Sequence, residues 1–258
     1  MPREHGSWAV LIAPILVGLA AAGGGPPAPV ALFCAAALGG FLLRAPLQSL
    51  LSPSPSPGAW AWLAADGVAA AAGALPLIFV YARWGLLGFA VVAAVLMVLN
   101  LRANLARRAF SFANEILGIA GLCLGAPAAF YAARGVLAPA AWQAWVLSAA
   151  YFVGPVFDVK AAALRHRAFS DASCRSDWER MKFLSLAYHA AALAVVCLAA
   201  FFKWAPAAAV LPFLAALHKT WSRGRLAPGR VDFRRLGFAE AGYSVFFALS
   251  VGLGFFSR

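Results

Sequence analysis

Nine apolar runs dominate this chain, at 7–22, 30–51, 59–81, 84–101, 112–133, 139–159, 182–202, 204–221 and 237–257. About 20 apolar residues carry a helix across a bilayer, and a helix satisfies its own backbone polar groups, as lipid requires. The runs predict an all-α, polytopic integral membrane protein with about nine transmembrane helices, forming a single transmembrane domain over 1–258. Breaks fall at helix-ending punctuation: "GGGPPAP" (23–29), "SPSPSPG" (52–58), Arg83, Pro139 and the corner at Lys203–Pro206. Two longer polar segments, 160–181 and 218–236, are expected to be loops. The first run is short and is followed by "AAAGGG", but Glu4 offsets Arg3, so the basic start of a signal peptide is weak.

Composition supports the same class. Charged residues make up 12% and the mean hydropathy is +0.82, whereas about a quarter of a soluble domain is charged. The net charge of +12 invites a nucleic-acid reading, which the positions of the cations exclude. With nine spans and a cytoplasmic N-terminus, seventeen of the 21 Lys and Arg lie inside, twelve of them in the two segments before the seventh and ninth spans. Only Arg83, Arg134, Lys203 and Arg258 lie outside. Such asymmetry orients a multi-pass protein in the membrane. The expected location is therefore the inner (plasma) membrane, with the bilayer as partner and no nucleic acid. The four cysteines form no Cys-x-x-Cys pair and read as inert thiols, not as a disulfide framework or zinc site.

Polar side chains within or at the ends of spans are the informative ones, because lipid exposure is costly for them. His5, Asp66, Asn100, Asn104, Asn114, Glu115, Asp158, Lys160, His189, His218, Lys219 and Glu240 are of this kind. Most fall toward the cytoplasmic ends of spans, and Asp66 and His189 sit about 10 Å deep at 1.5 Å per residue. The pattern suggests a polar cavity open to the cytoplasm. Each residue also has a plainer reading. Glu115 opens a helix, where a carboxylate meets the positive dipole end, and His218 and Lys219 close one, where cations are favoured. Asp66 and His189 suit interhelical hydrogen bonds. Asp158 shares a helix face with Arg165, so it is either half of a structural ion pair or part of the cavity beside Lys160.

Several stretches, in order, resemble the YwiC-like membrane protein family: "REHGSWAVLIAPILVGLA" (3–20), "FLLRAPLQSLL" (41–51), "NEILGIAGLCLGAPAAFYAARG" (114–135), "YFVGPVFDVKAAALRHR" (151–167), "YH" (188–189) and "GFAEAGYSVFFAL" (237–249). A more distant resemblance is to the UbiA-type prenyltransferases. It rests on the 113–135 stretch and on the nine-helix, N-inside plan, and it implies catalytic loops after the second and sixth helices. Those enzymes place Asp-rich motifs there, because Mg²⁺ needs several hard oxygen ligands to hold a diphosphate. This chain departs from that pattern. Its loop "RAPLQSLLSPSPSPG" (44–58) has no carboxylate, and the later loop keeps Asp158 with Ala162 four residues on.

Three functions remain open from the sequence. One is a UbiA-like, cytoplasm-facing cavity for an isoprenoid or other anionic lipid-like ligand, with or without a divergent prenyltransferase-like activity. In it Arg44, Lys160, Arg165, Lys219, Asn114 and His5 would bind the ligand, and Asp158, Glu115 and His189 would transfer protons, with no metal site. The second is a non-enzymatic carrier or assembly factor. The third is haem or metal binding through His5, His189 and His218. No cofactor is named by any motif.

Overall fold

The structure is a computed structural model that describes residues 5–106 and 110–257, without the His5 side chain. Its regular elements are helices α1 (His5–Ala21), α2 (Pro27–Leu42), α3 (Arg44–Leu50), α4 (Ala59–Phe79), α5 (Leu86–Leu105), α6 (Phe112–Cys123), α7 (Gly125–Arg134), α8 (Pro139–Ser170), α9 (Arg175–Phe201), α10 (Val210–Gly224) and α11 (Phe233–Phe256). Two short 3-10 turns, Ala172–Cys174 and Ala207–Ala209, precede α9 and α10. Helix therefore occupies each of the nine apolar segments. The pairs α2–α3 and α6–α7 each form one continuous span, Pro27–Leu50 and Phe112–Arg134. Pro46 and Pro127 lie just past those two breaks; a proline there removes the hydrogen bond to the carbonyl four residues back and opens a bend.

Among the described residues, seven helical spans are long and apolar enough to cross a membrane, so the chain is a multi-pass membrane protein. Two of the nine segments fall short: α1 has 17 residues and α10 has 15. At 1.5 Å per residue these reach less than the roughly 30 Å of a hydrocarbon core. Many large apolar side chains face outward, including Val91, Phe201 and Leu253, and α5 has Leu101 as its one buried residue among those described.

The two expected loops prove largely helical. α8 runs on to Ser170 and α9 begins at Arg175, which leaves a turn in which Asp171 accepts a hydrogen bond from the Ser173 N–H at 2.9 Å. Bonds from Ser173 hold the Asp171 carboxyl below its usual range. Outside lipid, Ala, Lys and Arg are good helix formers, so polarity ended the apolar run without ending the helix. The second loop shrinks to 225–232, because Asp232 caps α11 by accepting from the N–H groups of Arg234 and Arg235.

The described residues divide into two compact units, residues 5 and 14–145, and residues 6–13 with 146–257. In the first, α2 packs on α4 through small residues. A side chain at Gly39 would meet the Ala70 backbone nitrogen at 2.5 Å, and one at Gly73 would collide with the Leu32 carbonyl. Glycine at these points lets the two backbones touch, a standard route to helix association in lipid. Two arginines of this unit bond backbone carbonyls: Arg83 Nε donates to Ala132 and Arg134 Nε to Ala22. The second unit has an aromatic core. Tyr151 stacks on Phe247 at 4.2 Å, and Phe152 and Phe213 meet them edge-on.

Candidate functional site

Four helices of the second unit contribute to one buried polar cluster. On α8, Tyr151, Gly154 and Asp158 follow the i, i+3, i+7 spacing of a single inward face. On α9, Ser185 and His189 are one turn apart; on α10, so are Lys219 and Arg223, with Thr220 beside them. α11 adds Glu240 and Tyr243.

Asp158 is the centre. Its Oδ1 accepts hydrogen bonds from Ser185 Oγ (2.7 Å) and Thr220 Oγ1 (2.9 Å). Its Oδ2 lies 2.9 Å from Lys219 Nζ, and 3.9 Å from both Arg223 Nη1 and His189 Nε2. Lys219 also donates to Glu240 Oε2 (2.7 Å), whose Oε1 accepts from Arg223 Nη1 (2.6 Å). The Lys219 ammonium stands 5.0 Å from the centre of the Tyr243 ring. Two carboxylates thus face two fixed cations, and the set is charge-balanced when His189 is neutral. Buried charges persist only when paired and hydrogen-bonded, and these are. The Asp158 and Lys219 side chains are 3% and 4% exposed, whereas Arg223 is 30% exposed, so the cluster meets its surroundings at Arg223.

His189 Nδ1 lies 2.8 Å from the Ser185 carbonyl oxygen, which can only accept, so that nitrogen carries a hydrogen. Its Nε2 is buried and has no hydrogen-bond partner. Gly154 makes room for the ring, since a Cβ there would sit 2.6 Å from Nε2.

A half-open apolar groove of about 270 Å³ runs along the same pair of helices, α8 and α9, lined by Leu147, Ala150, Tyr188, Ala192 and the exposed Val195 and, past the end of α9, by Trp204. Phe157 stacks on Tyr188 at 4.9 Å, each ring one residue before Asp158 and His189.

Of the candidates named from sequence, Asp158, His189 and Lys219 converge. Of the two alternatives for Asp158, the ion pair with Arg165 is not made. Seven residues span about 10 Å of helix, and Arg165 Nε instead donates to the Ala227 carbonyl at 2.8 Å. Lys160 is half-buried, two residues from Asp158 and so on another side of α8. Asn114 and Glu115 belong to the first unit. Asn114 accepts from Asn100 Nδ2 (3.0 Å), and Glu115 sits in the first turn of α6, after the Ser111 cap. Arg44 opens α3 in that unit and is half-buried. His218 is exposed, against Trp221, while His189 is buried; the His5 side chain lies outside the described residues. Among the described residues no three His, Cys, Asp or Glu side chains are grouped to hold a metal.

Sequence reasoning missed Ser185, Thr220 and Arg223 as site residues. The available signal was their one-turn spacing from, or adjacency to, His189 and Lys219.

No curated protein and no solved structure matches the chain. A family model described as YwiC-like protein matches residues 1–130, which include Arg44, Asn114 and Glu115 and stop short of the Asp158 cluster. That match covers just over half of the 258 residues, and the chain belongs to the YwiC-like family.

Proposed function

We propose that this is a ligand-binding protein of the inner membrane, with nine spans in a UbiA-like bundle and its N-terminus in the cytoplasm. Its ligand is an isoprenoid or another lipid-like molecule with an anionic head. The observation that carries this reading is the Lys219–Arg223 pair. Glu240 holds both cations, and Arg223 extends from the buried end of the cluster to its exposed edge. A guanidinium held in this way offers its remaining N–H groups to a phosphate or carboxylate at no further ordering cost. By the charge asymmetry, this edge faces the cytoplasm. The half-open apolar groove along α8 and α9 suits a hydrocarbon chain.

Metal-dependent prenyl transfer is not part of the proposal, because the residues present do not fit the ion. Both Asp158 oxygens are engaged, by Ser185 and Thr220 and by Lys219, and both Glu240 oxygens by Lys219 and Arg223. A Mg²⁺ ion needs such oxygens free.

Mass spectrometry of solvent extracts of the purified protein tests the reading. An isoprenoid or lipid enriched over the bulk membrane, and lost in Arg223→Ala, is the expected result. Extracts with bulk-membrane composition would refute it.

A further inference from the structure

Two buried atoms of the Asp158 cluster have no hydrogen-bond partner, His189 Nε2 and Asp158 Oδ2, the latter ion-paired with Lys219 at 2.9 Å. Because Nδ1 carries the hydrogen that meets the Ser185 carbonyl, a neutral ring presents a bare lone pair at Nε2. That lone pair lies 3.9 Å from Asp158 Oδ2, another acceptor, and both side chains are about 95% or more buried. Two acceptors facing each other in a low-dielectric interior repel, and each forgoes a hydrogen bond. One proton on Nε2 turns the contact into an imidazolium donating toward a carboxylate. The ring cannot easily retreat, since Gly154 lies against its Nε2 edge and Tyr188 meets it edge-on.

We infer that His189 and Asp158 form an intramembrane proton-binding site, with Nε2 as the accepting atom and Asp158 as the carboxylate that receives the resulting N–H. The groups facing the pair come from every helix of the cluster: Asp158 from α8, Ser185 from α9, Lys219, Thr220 and Arg223 from α10, and Glu240 with Tyr243 from α11. Asp158 and Glu240 balance Lys219 and Arg223, so the arriving proton gives the cluster one net positive charge. The proton comes from the aqueous phase, reached at the half-exposed Arg223 end, and no other bond forms or breaks. Ionisable groups placed within a membrane span in this way mark proton relays. The inference needs no bound lipid and stands whether or not the ligand proposed above is found.

The test is nitrogen-15 NMR of full-length protein in lipid vesicles, labelled at histidine. The other three histidines, His5, His166 and His218, are replaced by Gln, so His189 supplies the only imidazole signal. Spectra are recorded across the pH range in which imidazoles ordinarily change charge. Nδ1 is expected to remain protonated throughout, while Nε2 passes from a lone-pair signal to an N–H signal as pH falls. A proton resident on Nε2 with Nδ1 bare would overturn the inference, as would an Nε2 signal that does not respond to pH. If the triple variant does not fold, the difference between the parent protein and His189→Gln gives the same readout.

Discussion

Lys219 Nζ lies between two carboxylates, 2.9 Å from Asp158 Oδ2 and 2.7 Å from Glu240 Oε2, and so joins α8, α10 and α11 through one buried ammonium. Taking the cation away leaves the Asp158 charge without its nearest positive partner. Lys219→Met is expected to cost about 3–5 kcal/mol, the usual penalty for breaking a buried pair. Asp158→Asn combined with Lys219→Met is expected to recover part of that loss. Thermal unfolding in detergent, followed by circular dichroism, measures both; a single variant as stable as the parent would contradict the pairing.

Ser185 and Thr220 both donate to the same oxygen of Asp158. Ser185→Ala or Thr220→Val is expected to destabilise by about 1.5–3 kcal/mol each, as for hydrogen bonds to a charged group. The double variant should fall short of or exceed the sum, because the two share an acceptor. Strict additivity in a double-mutant cycle would show that they do not.

Gly39 and Gly73 mark the contact of α2 with α4. At Gly73 an added side chain meets the Leu32 carbonyl, which cannot swing aside as a side chain can. Gly73→Leu is therefore expected to separate the two helices and lower the yield of folded protein sharply, whereas Gly88→Leu, at a position with open space around it, is expected to be tolerated. Size-exclusion profiles of the two variants, made in parallel, decide the matter.

The charge asymmetry orients the chain, and native Cys174 reports on it from the turn between α8 and α9. In a protein whose other cysteines are replaced by Ala, a membrane-impermeant maleimide should label Cys174 in inverted vesicles and not in intact spheroplasts. Lys203→Cys should give the opposite pattern. Labelling of Cys174 from the outer face would reverse the orientation.

Much of the architecture was legible in the sequence, because a bilayer imposes a simple rule: long apolar runs become helices. All nine runs are helical, and the prolines at 46 and 127 account for the two interrupted spans. The helix ends were less legible. Residues 160–170 and 175–181 are polar, and polarity tells where lipid stops, whereas a helix starts where its backbone N–H groups are capped. Asp171 opens the 3-10 turn before α9 and Asp232 opens α11, and such caps are local hydrogen bonds that hydropathy does not register.

The candidate site divides in the same way. The sequence by itself determined which side chains could not face lipid, and Asp158, His189 and Lys219 were among them. Partner choice came only with the tertiary structure. Asp158 and Thr220 are 62 residues apart, and their meeting depends on how α8 packs with α10. Arg165 is far nearer in sequence and shares a face with Asp158, yet two helical turns hold it away, where it bonds Ala227. Side-chain chemistry is written residue by residue, so the need for a partner can be read along the chain. Which partner answers that need is a matter of distance between helices, and only their packing decides it.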